Sequence, residues 1–238
     1  MRIVSICQPH FLPWIGYFNM IYNAGEIIYL DDVQYNRRSW QNRFHIRDNN
    51  LQSKKKLISL SVIDYHREKK ICEYKIAKEN IDYLKNNLWQ SYKETKYYSE
   101  ISDLIIESFK MHIEKNLSII NIELINLILK YLNINYVFSL SSEFKIKEKK
   151  ERLILGLLNS VGANCYLANN GSLNYAGEDL FLSKGFKFKL HNYKHPTYSQ
   201  YNRKKKLVFL PLLSVVDLLF NYQRDSEEIV KSFKLNFN

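Results

Sequence analysis

Apolar residues fall into short runs and helical stripes that alternate along the chain. Arg2-Ile3-Val4-Ser5-Ile6-Cys7 is a β-branched run that stops at Pro9, as a buried strand does. Tyr17, Met20, Ile21 and Ala24 then recur at i, i+3, i+4 and i+7, which predicts a helix over Gly16 to Ala24. Gly25 supplies its C-terminal cap. Ile27-Ile28-Tyr29-Leu30 reads as a second strand ending at Asp31-Asp32. Strand, helix and strand in this spacing predict a parallel βαβ unit.

Further along, Leu57 to Val62 alternates loosely as a strand, and Glu73 to Leu132 is largely helical. Tyr136 to Leu140, Cys165 to Ala168 and Phe186 to Leu190 read as strands. Arg152 to Val161, Glu178 to Lys184 and Leu213 to Asn221 read as helices, the last capped by Ser214. A polar turn, Asn169 to Ser172, follows the Cys165 strand. The alternation predicts one α/β domain over residues 1–238, with a mostly parallel sheet and a helical insertion at about 73–132.

Composition adjusts this picture little. Of 238 residues, 46% are hydrophobic and 25% charged, which excludes general disorder, and 7 Gly with 4 Pro leave little for flexible linkers. Lys+Arg exceed Asp+Glu by 35 to 24, giving +11. That excess fits either a solvated surface or a polyanion groove, because the lysines come in blocks such as Lys54 to Lys56 and Arg203 to Lys206. Cys7, Cys72 and Cys165 are far apart and form no disulfide framework or zinc pattern, and no metal site is expected. No signal peptide is visible and no apolar run approaches the ~20 residues of a membrane span, so a cytoplasmic protein without membrane insertion is expected. The aromatic surplus, 18 Tyr and 13 Phe, fits either core packing or a homo-oligomer contact.

Ligands of open α/β sheets bind at the carboxyl ends of the strands. The first such end carries Gln8, His10 and Trp14. His10 is either a general acid or base or a ring that ties down the turn. The second carries Asp31, Asp32, Gln34 and Tyr35, where the two carboxylates either receive protons or cap the strand exit. Next comes Arg37-Arg38-Ser39-Trp40-Gln41-Asn42-Arg43. Arg38 and Arg43 suit a phosphate and Trp40 suits a base or sugar, unless the loop is merely pinned by a buried Trp40. Tyr193 and His195 follow the last strand, where His195 is either a ligand contact or held by the Pro196 turn. No phosphate loop, dinucleotide fingerprint, nucleophile elbow or zinc-protease motif is present.

These residues carry a resemblance. Gln8-Pro9-His10-Phe11-Leu12-Pro13-Trp14-Ile15-Gly16-Tyr17-Phe18, Leu30-Asp31-Asp32-Val33-Gln34-Tyr35 and Trp40-Gln41-Asn42-Arg43 resemble the WbqC-like family. So do Ser141-Ser142, Gly162 to Leu167, Tyr193 to Tyr198 and Leu213 to Asn221, so the likeness runs in order from residue 8 to 221. Family members begin with His-Gln-Pro followed by Asn and Tyr. Here Cys7-Gln8-Pro9-His10-Phe11 stands instead, so a role for His10 is particular to this chain. The resemblance implies a place in surface-polysaccharide and O-antigen pathways. The opening strand–turn–helix–strand also resembles the HIGH-signature nucleotidyltransferases and pantothenate-synthetase-like ligases, which implies a Rossmann-like (HUP-like) sheet. Their paired histidines would fall on Trp14 and Tyr17, so the role of that pair in adenylylation does not carry over with the resemblance.

Together these features lead to the expectation of an enzyme that forms an amide on an amino sugar, most readily its nucleotide-linked form. His10, Asp31 or Asp32 would take the amine proton. Gln8, Trp14, Tyr17, Gln34, Tyr35, Arg38, Trp40, Gln41, Asn42, Arg43, Tyr193 and His195 would bind substrate. The acyl group would come from acyl-CoA, an acyl carrier, a charged tRNA or ATP activation. The alternatives are an accessory protein that binds nucleotide sugars or glycans without catalysis, or an adenylating enzyme.

Overall fold

The computed structural model describes residues 1–48, 54–169, 177–202 and 205–237. In chain order the elements are β1 (Ile3–Cys7), α1 (Ile15–Ala24), β2 (Glu26–Tyr29), β3 (Arg43–Arg47) and β4 (Lys55–Ser59). The helices α2 (Asn80–Tyr92), α3 (Tyr98–His112) and α4 (Leu117–Tyr131) follow, then β5 (Val137–Leu140), α5 (Lys150–Ser160) and β6 (Cys165–Ala168). The rest is α6 (Glu178–Ser183), β7 (Lys187–Leu190), β8 (Tyr201–Asn202), β9 (Lys205–Lys206), α7 (Val215–Tyr222) and α8 (Ser226–Lys231).

Alternation along β1 explains how the sheet is covered. Val4 and Ile6 face one layer with Ile28, Tyr166 and Ala168, against Leu157 and Leu158 of α5 and Phe181 of α6. Cys7 faces the other with Ile27, Tyr29 and Leu167, against α1, α2 to α4 and α7. A strand buried on both faces belongs at the centre of a parallel sheet. The order is β5-β2-β1-β6-β7, with every neighbouring pair parallel. Numbered by their own succession these strands run 3-2-1-4-5, the Rossmann-like order, with the direction of winding reversing beside β1. The α/β class and the parallel sheet are as the sequence predicts.

The first βαβ unit follows from local signals. Gly25 adopts φ 71° and its N–H donates to the Ile21 carbonyl at 2.8 Å, closing α1 where a side chain would be strained. Everything from residue 30 to 136 is the connection between the paired strands β2 and β5. Its helices begin at Asn80, later than the predicted 73. Tyr74 and Ile76 are buried while Lys75 is exposed, a period of two, and Ile76 bridges Val62 in extended form. The predicted Leu57 strand is β4, displaced toward the N-terminus and paired antiparallel with β3. Most of the polar turn predicted after β6, from Asn170 to Ser172, lies outside the described residues, as do Arg203 and Lys204. Among the described residues no helix is long and apolar enough to cross a membrane.

Two buried polar clusters fix the outer elements onto this frame. Asp217 of α7 accepts from Tyr198 Oη and Gln200 Nε2, both at 2.7 Å, and Arg47 of β3 donates to Gln200 Oε1 and to the Val208 carbonyl. Burial raises the Asp217 pKa, opposed by the Tyr198 hydrogen bond and the Arg47 charge. In the second, Asn121 of α4 donates through Nδ2 to the Pro9 carbonyl at 2.9 Å and the Gln41 carbonyl at 2.8 Å. This one amide joins the exit of β1 to the entry of β3. Asn121→Ala leaves two buried carbonyls without a donor. It should cost about 2–4 kcal/mol, read as a lower urea midpoint at an unchanged m-value.

Candidate functional site

The exit of β1 is rigid because its groups are tied on several sides. Tyr17 Oη donates to the Gln8 carbonyl at 2.9 Å and receives the Cys7 thiol at 3.2 Å. Burial pushes that thiol up to about 12, so Cys7 is a packing group, not a nucleophile. The Gln8 side chain accepts from Gln41 Nε2 at 2.8 Å, and the Phe11 N–H donates to the Trp40 carbonyl at 2.9 Å. Asn42 Nδ2 donates to the Leu60 carbonyl at 2.6 Å. Gln8, Gln41 and Asn42 therefore hold the loop through Gln8 Oε1, Gln41 Nε2 and Asn42 Nδ2.

At this exit lies a cavity of about 270 Å³, close to the lower end for small-molecule sites. Its walls include His10, Trp14, Trp40, Arg43, His45 and Lys55. The Trp14 indole lies over Gly16, where a Cβ would come within 2.3 Å of Cη2. A glycine two residues after Trp14 is what lets the ring lie down at the start of α1. Tyr193 meets the indole edge-on at 5.3 Å and His195 stacks on it at 6.1 Å. His195 Nδ1 donates to the Pro196 carbonyl at 2.8 Å, so its Nε2 is a buried acceptor without a partner among the described residues. Trp40 remains 47% exposed, with an edge contact to His45 at 5.1 Å, so the residue is accessible to a ligand. The loop is pinned by Gln41 and Asn42, not by a buried Trp40.

The His10 ring is half-buried, 5.2 Å from the Tyr17 ring, and burial lowers its pKa to about 4. It is neutral at neutral pH and can accept a proton. Arg43 is half-buried, and its Nε is buried without a partner among the described residues.

The remaining predicted residues lie elsewhere. Asp31 is buried at the end of β2, where its carboxylate accepts from Ser141 Oγ at 3.1 Å, the Ser142 N–H at 3.0 Å and Ser142 Oγ at 2.8 Å. Asp32 accepts from Ser141 Oγ at 2.5 Å and pairs with Lys70 at 3.3 Å. The two carboxylates thus tie the exits of β2 and β5 together, and neither lines the cavity. Gln34 Nε2 donates to the Arg67 carbonyl at 2.9 Å. Tyr35 is buried 4.5 Å from the Tyr74 ring, and burial pushes its pKa up to about 12 against the nearby Arg43 charge. Arg38 is exposed at φ 70° and is not a cavity wall.

Comparison with known proteins gives this arrangement a lineage. The WbqC-like protein family matches the chain over residues 8–229, from the exit of β1 into α8. The chain belongs to the WbqC-like protein family. Among WbqC-like relatives, "Uncharacterized protein Rv1507c" of Mycobacterium tuberculosis is 27% identical over 240 residues, covering 97% of this chain and 98% of that protein. No solved structure matches the chain. The stretch shared with the WbqC-like family contains every cavity wall named above and the Asn121 and Asp31 ties.

Sequence reasoning passed over four parts of this site: His45, Lys55, Asn121, and the use of Ser141 and Ser142 as donors to the aspartates. The signal for His45 was the alternation of Phe44 and Ile46 around it. For Asn121 it was a lone amide on the inward face of a nearly all-apolar helix.

Two histidines, His10 of the cavity wall and His191 outside it, respond to acid. His191 is buried and its Nε2 lies 2.8 Å from Asn19 Oδ1, an oxygen fixed as acceptor because Asn19 Nδ2 donates to the Val230 and Phe233 carbonyls. Burial lowers the His191 pKa, like that of His10, to about 4. Between the ordinary value of 6.5 and about 4 the unfolded chain holds these protons and the folded chain does not. The stability they contribute is complete above 6.5 and lost as pH falls toward 4. Unfolding at pH 5 should take up roughly two protons through this pair. Urea midpoints should fall from pH 7 to pH 5, less steeply in His191→Gln than in wild type; a flat wild-type profile would contradict the assignment.

Proposed function

We propose that the protein is an enzyme of surface-glycan biosynthesis that acylates the amine of an amino sugar held, in nucleotide-linked form, in the cavity at the exit of β1. The observation that carries the reading is the composition of that cavity. It combines a neutral proton acceptor, His10, a cationic fork, Arg43, and two indoles, Trp14 and Trp40, in a volume suited to a small molecule. Membership of the WbqC-like family supports the glycan context.

In this reading Arg43 holds a phosphate, and the exposed Trp40 carries the base or sugar. The amine nitrogen donates its lone pair to the acyl carbonyl carbon as a C–N bond forms. The bond from that carbon to the donor breaks, and the donor departs with the electron pair. The proton shed by nitrogen passes to His10 and on to the leaving group. An attacking amine becomes strongly acidic as its C–N bond forms, so a weak base suffices. A placed base of this kind contributes ~10²–10⁴-fold. The donor is acyl-CoA, a carrier-bound or tRNA-bound acyl group, or an acyl adenylate made from ATP, and the reaction is cytoplasmic. Asp31 and Asp32, tied to Ser141 and Ser142, act in this scheme by positioning the strand ends.

A second reading, binding without chemistry, draws on the same histidine, because burial that lowers its pKa also weakens it as a base. The two are separated by incubating nucleotide-linked amino sugars with each donor class and weighing the sugar afterwards. The enzyme reading predicts a mass gain equal to the parent carboxylic acid of the acyl group less water. It also predicts turnover reduced ~10²-fold in His10→Gln, and sugar affinity reduced roughly 10- to 100-fold in Arg43→Ala. Ligand-induced thermal stabilisation with no mass change across the donor panel leaves only the binding reading.

A further inference from the structure

The β3–β4 hairpin carries a pattern that the fold does not require and of which the acyl-transfer reading uses Arg43 alone. Its register sets Arg43 opposite Ser59, His45 opposite Leu57 and Arg47 opposite Lys55. Directly paired residues share a face, so these six project to one side while Phe44, Ile46 and Ile58 enter the core. Arg47 leaves the group, its guanidinium being taken by Gln200 and the Val208 carbonyl. Arg43, His45 and Lys55 remain as cavity wall.

No aspartate or glutamate stands among the residues lining the cavity. Lys55 is half-buried and makes no ion pair among the described residues, and none of residues 49–53, 170–176, 203 and 204 is acidic. Two cationic side chains and an imidazole thus line one cavity wall without a counter-charge. Each shields the others poorly in a partly dry site, and an anion relieves that cost. We propose that the hairpin is the anion-binding wall of the cavity, with Arg43, His45 and Lys55 together gripping the diphosphate of an activated substrate or donor.

Two further observations agree. Burial lowers the Lys55 pKa, and burial followed by the Lys55 charge lowers that of His45, as expected of neighbours that lack an anion. The exposed Trp40 ring meets His45 at 5.1 Å, so a ring attached to the diphosphate has an aromatic neighbour within reach. A diphosphate is shared by nucleotide-linked sugars and by coenzyme A. The inference rests on the acyl-transfer reading only for the ligand's identity, since its test needs no turnover. Probe binding without acylation would sink that reading and leave this one standing.

The test is calorimetric titration of the full chain with inorganic pyrophosphate, UDP and coenzyme A at fixed low salt. At least one probe should bind, and the affinity should weaken about tenfold or more in Lys55→Met and in His45→Gln. Lys55→Arg should restore most of it, and Lys54→Ala, an exposed neighbour outside the lining, should change it less than twofold. Unfolding midpoints close to wild type would show that the variants are folded. UDP binding tighter than pyrophosphate would assign the wall to the sugar nucleotide, and tighter coenzyme A binding would assign it to the donor; either supports the proposal. Failure of all three probes to bind wild type overturns it, as does wild-type affinity in the folded Lys55→Met and His45→Gln proteins.

Discussion

The amide of Asn121 is the constraint on which the site depends. The loop leaving β1 and the segment entering β3 are distant in sequence and carry their own unpaired carbonyls. A buried carbonyl without a donor is costly, and the Asn121 Nδ2 satisfies one from each side, Pro9 and Gln41. With those carbonyls fixed, the Phe11–Trp40 backbone bond and the Gln8–Gln41 side-chain bond have little freedom left. His10 and Trp14 on one loop then face Trp40 and Arg43 on the other across a cavity of defined width. A helix of the long β2–β5 connection therefore sets the geometry at the carboxyl end of the central strand.

Much of the frame was legible in the residues. Runs such as Ile3 to Cys7 and Cys165 to Ala168 are apolar on both faces, and Gly25 and Gly162 adopt the positive φ that their positions after helices implied. What escaped was pairing across distance. Whether Asp31 and Asp32 receive protons or cap the strand exit stayed open in the residues, because the two serines that occupy them lie more than a hundred residues away. β3 went unassigned because Arg43, His45 and Arg47 hide the alternation of Phe44 and Ile46. Lys55 read as one member of a surface lysine block, although strand pairing turns it toward the cavity while Lys54 stays exposed. Local patterns encode the elements; only the register between them says which polar groups remain unpaired.

That distinction separates the chain's polar residues by use. Gln8, Asn42, Asp31 and Asn121 hold backbone or strand ends and have hydrogen bonds to show for it. His10, Arg43, His45 and Lys55 are not committed in this way and gather on one cavity. Groups that find no partner among the described residues, gathered at such a strand exit, make a surface suited to an anionic ligand carrying a flat ring. The +11 charge of the whole chain bears on this only through that small subset.

The most direct measurement is a crystal structure of the protein soaked with a nucleotide-linked amino sugar. The account predicts the diphosphate against Arg43, His45 and Lys55, the ring on Trp40, and the sugar amine within hydrogen-bonding reach of His10. Ligand bound instead at the Asp31–Asp32 pair, with the β1 cavity empty, would contradict it.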